Sequence, residues 1–355
     1  MQGNSQDTRP LGVIVVTFNA EDVILDCLES LLGARGADLR IVVVDNASDD
    51  GTLEAIRAWA AGTAPYRPSA DLAVPLSPCA KPVPVAECEA EGPFPAAPGR
   101  LTVIRSSVNR GFAGGVNLGL VAAAADRDIK DFWILNPDSI TLPETPARYA
   151  TCANANSGYG LMGGRTCYMA PPDQIQIDGG TVNFFTGVTH NINLGCRHPE
   201  TPAPESRDLD FVTGANLVVS RAFYESIGPM REDYFLYYEE VDWALRRGDF
   251  PLLYCPGALV HHRAGTAIGS PTLARFASPF SLYFKYRSRM KFIRRFRPLS
   301  LPVAYLYALA KAAQIRLGGG REEARALVAG LHGRPPPEAV RARLSEDAAR
   351  LAFGG

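Results

Sequence analysis

Two short apolar runs, LGVIVVT at 11–17 and RIVVV at 40–44, decide what this chain can become. Each is rich in β-branched residues and lacks polar alternation, the pattern of strands buried on both faces, as in parallel sheets. Between them, residues 21–32 (EDVILDCLESLL) repeat apolar positions at helical spacing, with an acidic start that suits a helix N-terminus and Gly33 to end it. After the second run, DNASDDGT at 45–52 turns into a helix near 53–61. Strand, helix, strand, helix predicts an α/β protein with a mostly parallel central sheet flanked by helices. Such sheets bind ligands beyond the carboxyl ends of their strands, where Asn19, Asp45 and Asn136 are expected.

Composition bounds the function. A chain of 355 residues with 46% hydrophobic and 21% charged residues is ordinary for a globular protein and can bury a sizeable core. A net charge of −1 gives no global reason to expect nucleic acid as a partner. Seven scattered cysteines without a C-x-x-C pair argue for reduced thiols in a cytoplasm, not a disulfide framework. Residues 1–10 are polar and do not resemble a signal peptide. No apolar stretch reaches the ~20 residues of a spanning helix.

Prolines crowd residues 63–100, which makes a regular helix or a central strand there unlike the rest; the segment reads as a surface insertion. The sheet resumes at 101–105 and leads into NRGFAGGVN at 109–117, a glycine-rich helix entrance with neither G-x-G-x-x-G nor G-K-[ST] spacing. Close packing on the sheet and nucleotide contact are both open for it. The strand at 131–135 ends in Asn136, Pro137, Asp138 and Ser139, which read alone make a turn.

In this order the chain carries TFN (17–19), VVVDNASDDGT (42–52), NRGFAGGVN (109–117), NPD (136–138), TGAN (213–216), FLYYEEVDWALR (235–246) and VHHRAG (260–265). Together they resemble an inverting family-2 glycosyltransferase of the GT-A fold, closest to the bacterial rhamnosyltransferase-like branch. The likeness runs across residues 11–297.

That resemblance implies a nucleotide-sugar donor, dTDP- or UDP-linked, with dTDP-rhamnose favoured and a UDP-hexose or UDP-galactofuranose behind it. It puts Thr17, Phe18, Asn19 and Asp45 on the nucleotide, Asp45 accepting a hydrogen bond from the base. Arg110, Gly111, Gly114 and Asn117 fall near the nucleotide too, Arg110 facing the diphosphate. The family's Asp-x-Asp appears here as Asn136 and Asp138; Asn136 would lie by the ribose, while Asp138 and His262 would hold a divalent cation, Mg²⁺ or Mn²⁺. Of the doublet, His262 and not His261 has the family's spacing to Arg263 and Gly265. Gly214, Ala215, Asn216, Glu239 and Trp243 would line the acceptor side. Glu240 stands where the family keeps its general base, usually an aspartate, and Asp242 is a second acid able to act there or orient the acceptor.

Residues 271–321 hold eleven Lys or Arg and no Asp or Glu. Basic and large apolar residues interleave over 282–296, followed by an apolar segment too short to span a membrane. Peripheral membrane contact through 282–317 is expected, at the inner face, since acceptors in this branch are often lipid-linked glycans. The expected division is a catalytic domain over 1–270 and a basic helical region over 271–355. A homo-oligomer is compatible with all of this. A nucleotidyltransferase and a non-catalytic nucleotide-sugar-binding module are the alternatives.

Overall fold

The computed structural model describes residues 10–97, 99–263 and 277–354. Gly265 and the expected boundary at 270/271 lie outside them. The chain opens as read: β1 (Leu11–Thr17), α1 (Ile24–Leu32), β2 (Leu39–Asp45) and α2 (Thr52–Ala61). β1 pairs with β2 in parallel, Thr17 opposite Asp45. The insertion is more regular than expected. It contributes β3 (Val85–Glu89), which pairs in parallel with β4 (Leu101–Arg105). β3 is a proline-free stretch at the end of the sheet, where one side needs no ladder partner.

There follow α3 (Gly111–Ala124), β5 (Asp131–Leu135), β6 (Ser139–Thr141), α4 (Thr145–Ala155), β7 (Leu161–Tyr168) and β8 (Ile175–Ile177). A separate hairpin, β9 (Gly180–Asn183) with β10 (Val188–Asn191), precedes β11 (Asn216–Ser220), α5 (Arg221–Ile227), α6 (Glu239–Leu245) and β12 (Leu252–His262). The main sheet has ten strands in the order β3-β4-β2-β1-β5-β11-β7-β12-β6, with β8 on β7. Strands β1 to β5, β7 and β12 share one direction, and β6, β8 and β11 run against them. One edge therefore collects the ends of β1, β2, β5 and β12 and the starts of β6 and β11.

Alternate residues of the central strands feed two cores, one on each face. Ile14, Val42, Val44 and Ile134 pack with Val116 and Leu120 of α3, while Val13, Val43, Trp133 and Leu135 pack with Ile24, Leu28 and Trp59. Burying each such aliphatic chain contributes about 1.5–3 kcal/mol, so a strand polar on one face could not hold this place. The glycines of α3 let it press on the sheet: a Cβ at Gly115 would lie 2.5 Å from Val16 Cγ1, and one at Gly119 2.5 Å from Ile14 Cγ2.

The C-terminal part is helical: α7 (Pro279–Phe296), α8 (Leu301–Leu317), α9 (Arg321–Leu331), α10 (Glu338–Arg341) and α11 (Glu346–Phe353). Here one expectation changes. Residues 282–296 form a packed helix, not a surface one, with Tyr283, Phe284, Phe292 and Ile293 buried. The exposed apolar surface belongs to α8 instead: Val303, Leu306, Tyr307 and Leu317 face outward, with Leu299 before them. Among the described residues, no helix is long and apolar enough to cross a membrane.

Candidate active site

At the ends of β1 and β2 two polar atoms are buried without partners among the described residues: Thr17 Oγ1 and Asp45 Oδ1. Register sets them side by side. Buried polar groups are normally satisfied, so the pair is a candidate ligand contact. Asp45 is 2% exposed, its Oδ2 accepts a long 3.4 Å bond from Ser48 N, and burial raises its pKa.

The neighbouring loops are tied by Asn46, which sequence reading did not single out. Its backbone N–H donates to Thr17 O at 2.8 Å, Nδ2 donates to Gly111 O at 3.0 Å, and Oδ1 accepts from Arg110 N at 2.9 Å. Only an amide side chain offers donor and acceptor together here; its place beside Asp45 was the one available signal. Asn19 is committed in a similar way: Nδ2 donates to Asp49 Oδ1 at 2.6 Å and Oδ1 accepts from Asp49 N at 2.9 Å. Phe18 is half-buried beside it.

Gly111 needs to be glycine. Its φ is +72°, and a Cβ would sit 2.3 Å from Phe235 O. This close approach, with Phe112 N donating to Phe235 O at 2.9 Å, joins the glycine-rich entrance to the acidic segment. Gly114 lies against Arg110, whose Nη2 donates to Glu91 Oε1 at 2.8 Å and Nε to Ser106 Oγ at 3.2 Å. Asn117 faces elsewhere. It bonds both ways with the Met230 backbone and donates to Glu232 Oε1, so it tethers α3 and is no nucleotide contact.

The end of β5 meets the start of β11 and the end of β12. Asn136 N donates to Ala215 O at 3.2 Å. Asp138 Oδ1 lies 3.0 Å from His262 Nε2, and Asn136 Nδ2 lies 3.2 Å from the same nitrogen. On the far side of the ring, His262 Nδ1 is 2.8 Å from Gln176 Oε1, an acceptor that keeps the proton on Nδ1 and turns Nε2 toward Asp138. Gln176, on β8, was not anticipated. His261, the other half of the doublet, is buried with its pKa lowered by burial.

The acidic segment is held in costly backbone. Phe235, Tyr237 and Tyr238 have φ of 65°, 66° and 72°, a region that costs of order 1–3 kcal/mol per non-glycine residue. α7 enforces it: Ser288 Oγ donates to Leu236 O at 2.9 Å, Arg289 Nε donates to Tyr238 OH at 2.9 Å, and Ser281 Oγ bonds Tyr237 OH at 2.7 Å. The strain sets where α6 starts and thus where Glu240 stands. A Cβ on Gly214 would be 3.0 Å from the Phe112 ring and 3.9 Å from Glu240 Cβ, so the 213–215 loop bridges Asn136 to Glu240. Burial lifts the half-buried Glu240 to about 7, and Lys285 of α7, lowered to about 8 by burial, is its nearby cation. Glu239 is enclosed, its Oε2 lacks a partner among the described residues, and burial followed by the charge of Glu240 raises it well above the carboxylate range.

Three expected residues are structural instead. Asp242 is fully buried and saturated by Tyr234 OH at 2.9 Å, Arg246 Nε at 2.6 Å and Arg295 Nη1 at 2.8 Å. Trp243 is core, donating to Gly228 O at 2.9 Å and packed edge-on against Phe223. Asn216 accepts from Trp133 Nε1 at 2.9 Å and Tyr149 OH at 2.7 Å inside the sheet. Local pattern could not distinguish them from their exposed neighbours, because the partners are distant in sequence.

Known proteins resemble this chain in part of its sequence and in its fold. The family model "Glycosyl transferase family 2" matches residues 12–69, the β1-to-α2 portion that carries Thr17 and Asp45. A low-salt glycan biosynthesis hexosyltransferase of Haloferax volcanii, Agl10, is 23% identical over 192 residues. Both likenesses are to glycosyltransferases, and the family-2 match lies on residues 12–69. The aligned part is 52% of this chain and 58% of Agl10, so the match spans little more than half of that relative. The fold is shared more widely. The mannosyltransferase PcManGT of Pyrobaculum calidifontis, solved with GDP-Man and Mn²⁺, aligns over 95% of this chain and 79% of its own at TM-score 0.50 and 17% identity. GalNAc-T7, solved with UDP, GalNAc and Mn²⁺, aligns over 92% and 57% at TM-score 0.53 and 12% identity. A GT-A-type mixed α/β fold is thereby established for this chain.

Proposed function

We propose that the chain transfers a hexosyl group from a nucleotide sugar to an acceptor hydroxyl, with inversion at the anomeric carbon. One observation carries this: the unpartnered Oδ1 of Asp45, the Asp138–His262 pair and Glu240 meet along one sheet edge, joined by the loops at 111–112 and 213–215. Asp45 accepts from the N–H of a uracil or thymine. Arg110 exchanges its exposed pair with Glu91, which holds it weakly, for the donor diphosphate. The acceptor enters beside Gly214 and Ala215. Its oxygen attacks the anomeric carbon, the bond to the diphosphate breaks, and the proton passes to a Glu240 carboxylate oxygen.

The residues fit a divalent cation. One carboxylate and one imidazole nitrogen face each other at 3.0 Å, with Gln176 fixing the ring, and the described residues hold no cluster of three ligating side chains. Asp138 and His262 would hold an ion that takes its remaining ligands from phosphate and water, as hard cations do. Bound there, Mg²⁺ or Mn²⁺ offsets charge on the departing nucleoside diphosphate. Asn136 would then orient His262 and face the ribose.

The resemblance to the rhamnosyltransferase-like branch favours dTDP-rhamnose as donor, with UDP-hexose and UDP-galactofuranose next. We take the acceptor to be a glycan or lipid-linked glycan of surface polysaccharide synthesis, met at the inner face of the membrane through the exposed apolar side of α8. Residues 1–270 would form the catalytic unit. A nucleotidyltransferase would need neither the acidic cluster of Glu239, Glu240 and Asp242 nor the downstream His262. Screening nucleotide sugars by thermal shift with Mg²⁺ or Mn²⁺, then following donor hydrolysis, tests the reading. Cation-dependent stabilisation and hydrolysis by one donor are expected; stabilisation by none would overturn it.

A further inference from the structure

A second cleft, of about 1200 Å³, opens on the other side of α7. Arg287, Lys291 and Arg294 of α7, Arg334, Arg341 of α10 and Arg350 of α11 line it, against the single acid Glu346. Tyr283, Tyr305 and Phe353 give it aromatic walls. Residues 283, 287, 291 and 294 fall on one face of α7, while Ser281 and Ser288 on another face hold the acidic segment. α7 therefore stands between this cleft and the acidic segment, as a wall about 10 Å thick.

Arg287 is the telling residue. It is 8% exposed, its Nη1 has no partner among the described residues, and its guanidinium lies 5.9 Å from the Phe353 centroid. Burial holds its pKa below the ordinary guanidinium value, outweighing the opposing pulls of Tyr283 and Asp233. A buried guanidinium with free donors, ringed by further arginines, matches the oxygens of a phosphate. Beside it, Leu301, Pro302 and Tyr305 carry the cleft onto α8, whose outward Val303, Leu306 and Leu317 continue the 4-3 spacing begun at Leu299. A second copy docking on this face would oppose like charges, since residues 271–321 contain no acid. An anionic amphiphile would not.

We propose that this cleft binds the phosphate or diphosphate group of an amphiphile, with Arg287 at its floor, Arg294 and Arg341 at its rim, and the apolar chain along α8. The binding is independent of the transferase reading; only its use to present a lipid-linked acceptor to Glu240 rests on it.

The test uses the full chain with a chelator present, so that cation-supported binding at Asp138 is silent. Inorganic diphosphate is titrated by calorimetry, and flotation is measured with phosphatidylcholine vesicles with and without phosphatidic acid. Wild type should bind diphosphate and float only with the acidic vesicles. Arg287→Met, and separately Arg294→Glu with Arg341→Glu, should lower these by on the order of tenfold or more. Arg287→Met should keep or raise Tm, because removing an unpaired buried charge relieves a desolvation penalty; the rim variant serves if it does not fold. Diphosphate that releases bound vesicles assigns a lipid headgroup, and diphosphate binding without flotation assigns a free anion. Absence of both, or binding undiminished in both variants, overturns the proposal. UDP or dTDP binding with Mn²⁺ should stay at wild-type level in these variants. Failed donor hydrolysis with intact cleft binding would remove the transferase reading and leave this one standing.

Discussion

Glu240 combines position with a carboxyl lifted to about 7 by burial. Glu240→Gln should leave donor binding intact and lower transfer on the order of 10²-fold or more, the usual scale for a positioned base. The base works ionised, so the wild-type rate should climb as pH rises through about 7 and level above it. The same shift acts oppositely on stability. The folded state holds the proton more tightly than the unfolded chain, so this group stabilises most below its ordinary value of 4.5 and loses that contribution up to about 7. Rate measurements across pH on both proteins check this; a near-wild-type rate in the variant would sink the assignment. Asp45→Ala should weaken UDP or dTDP binding by about 1–3 kcal/mol, the worth of a hydrogen bond to a charged group, and calorimetry reads it directly. Asp138→Asn and His262→Ala should each weaken Mn²⁺-supported nucleotide binding, with the double variant little worse than the poorer single, because both serve one ion. Asn136→Asp adds a carboxylate beside His262 and should raise Mn²⁺ affinity. Normal metal-dependent binding by Asp138→Asn would mean that β5 merely ends in a turn.

At the scale of elements, α6 and α7 act together. α7 holds the positive-φ residues before α6, and Asp242 locks the pair through Arg295 of α7, Arg246 and Tyr234. Asp242→Ala would strand two cations and should cost about 3–5 kcal/mol, seen as a large fall in Tm, where Glu240→Gln should change Tm little. Equal stability losses in the two would contradict the division of labour between these acids. The insertion is fastened by the buried carboxylates of α1. Asp26 accepts from Tyr66 OH at 2.7 Å and Ser69 Oγ at 2.5 Å, and Glu29 from Cys79 N at 2.7 Å and Lys81 Nζ at 3.0 Å. Arg263 joins Asp26 and Asp71, so the insertion reaches the residue after His262.

Across the whole molecule, apolar surface is unevenly hidden. α8 buries only Ala304, Ala308 and Ala312 and leaves its large side chains outward. If that face meets a membrane, Val303→Lys with Leu306→Lys should abolish flotation with acidic vesicles at unchanged Tm, since neither side chain is in a core. Retained flotation would remove α8 from the interface.

The parallel sheet was legible because β-branched runs such as 11–17 and 40–44 fit few structures other than doubly covered strands. The edge holding Thr17, Asp45, Asn136 and Asp138 followed, since strand direction and strand end are local properties. What a side chain does once there was not local. Asp242 and Glu240 are two residues apart on one helix, yet one is locked by partners from 234 to 295 and the other meets the Gly214 loop. Asn46, Gln176 and Arg287 likewise acquire their roles only from groups brought close by folding. Hydrophobic periodicity is written along the chain, but burial of a polar atom and the identity of its partner are properties of the folded neighbourhood alone.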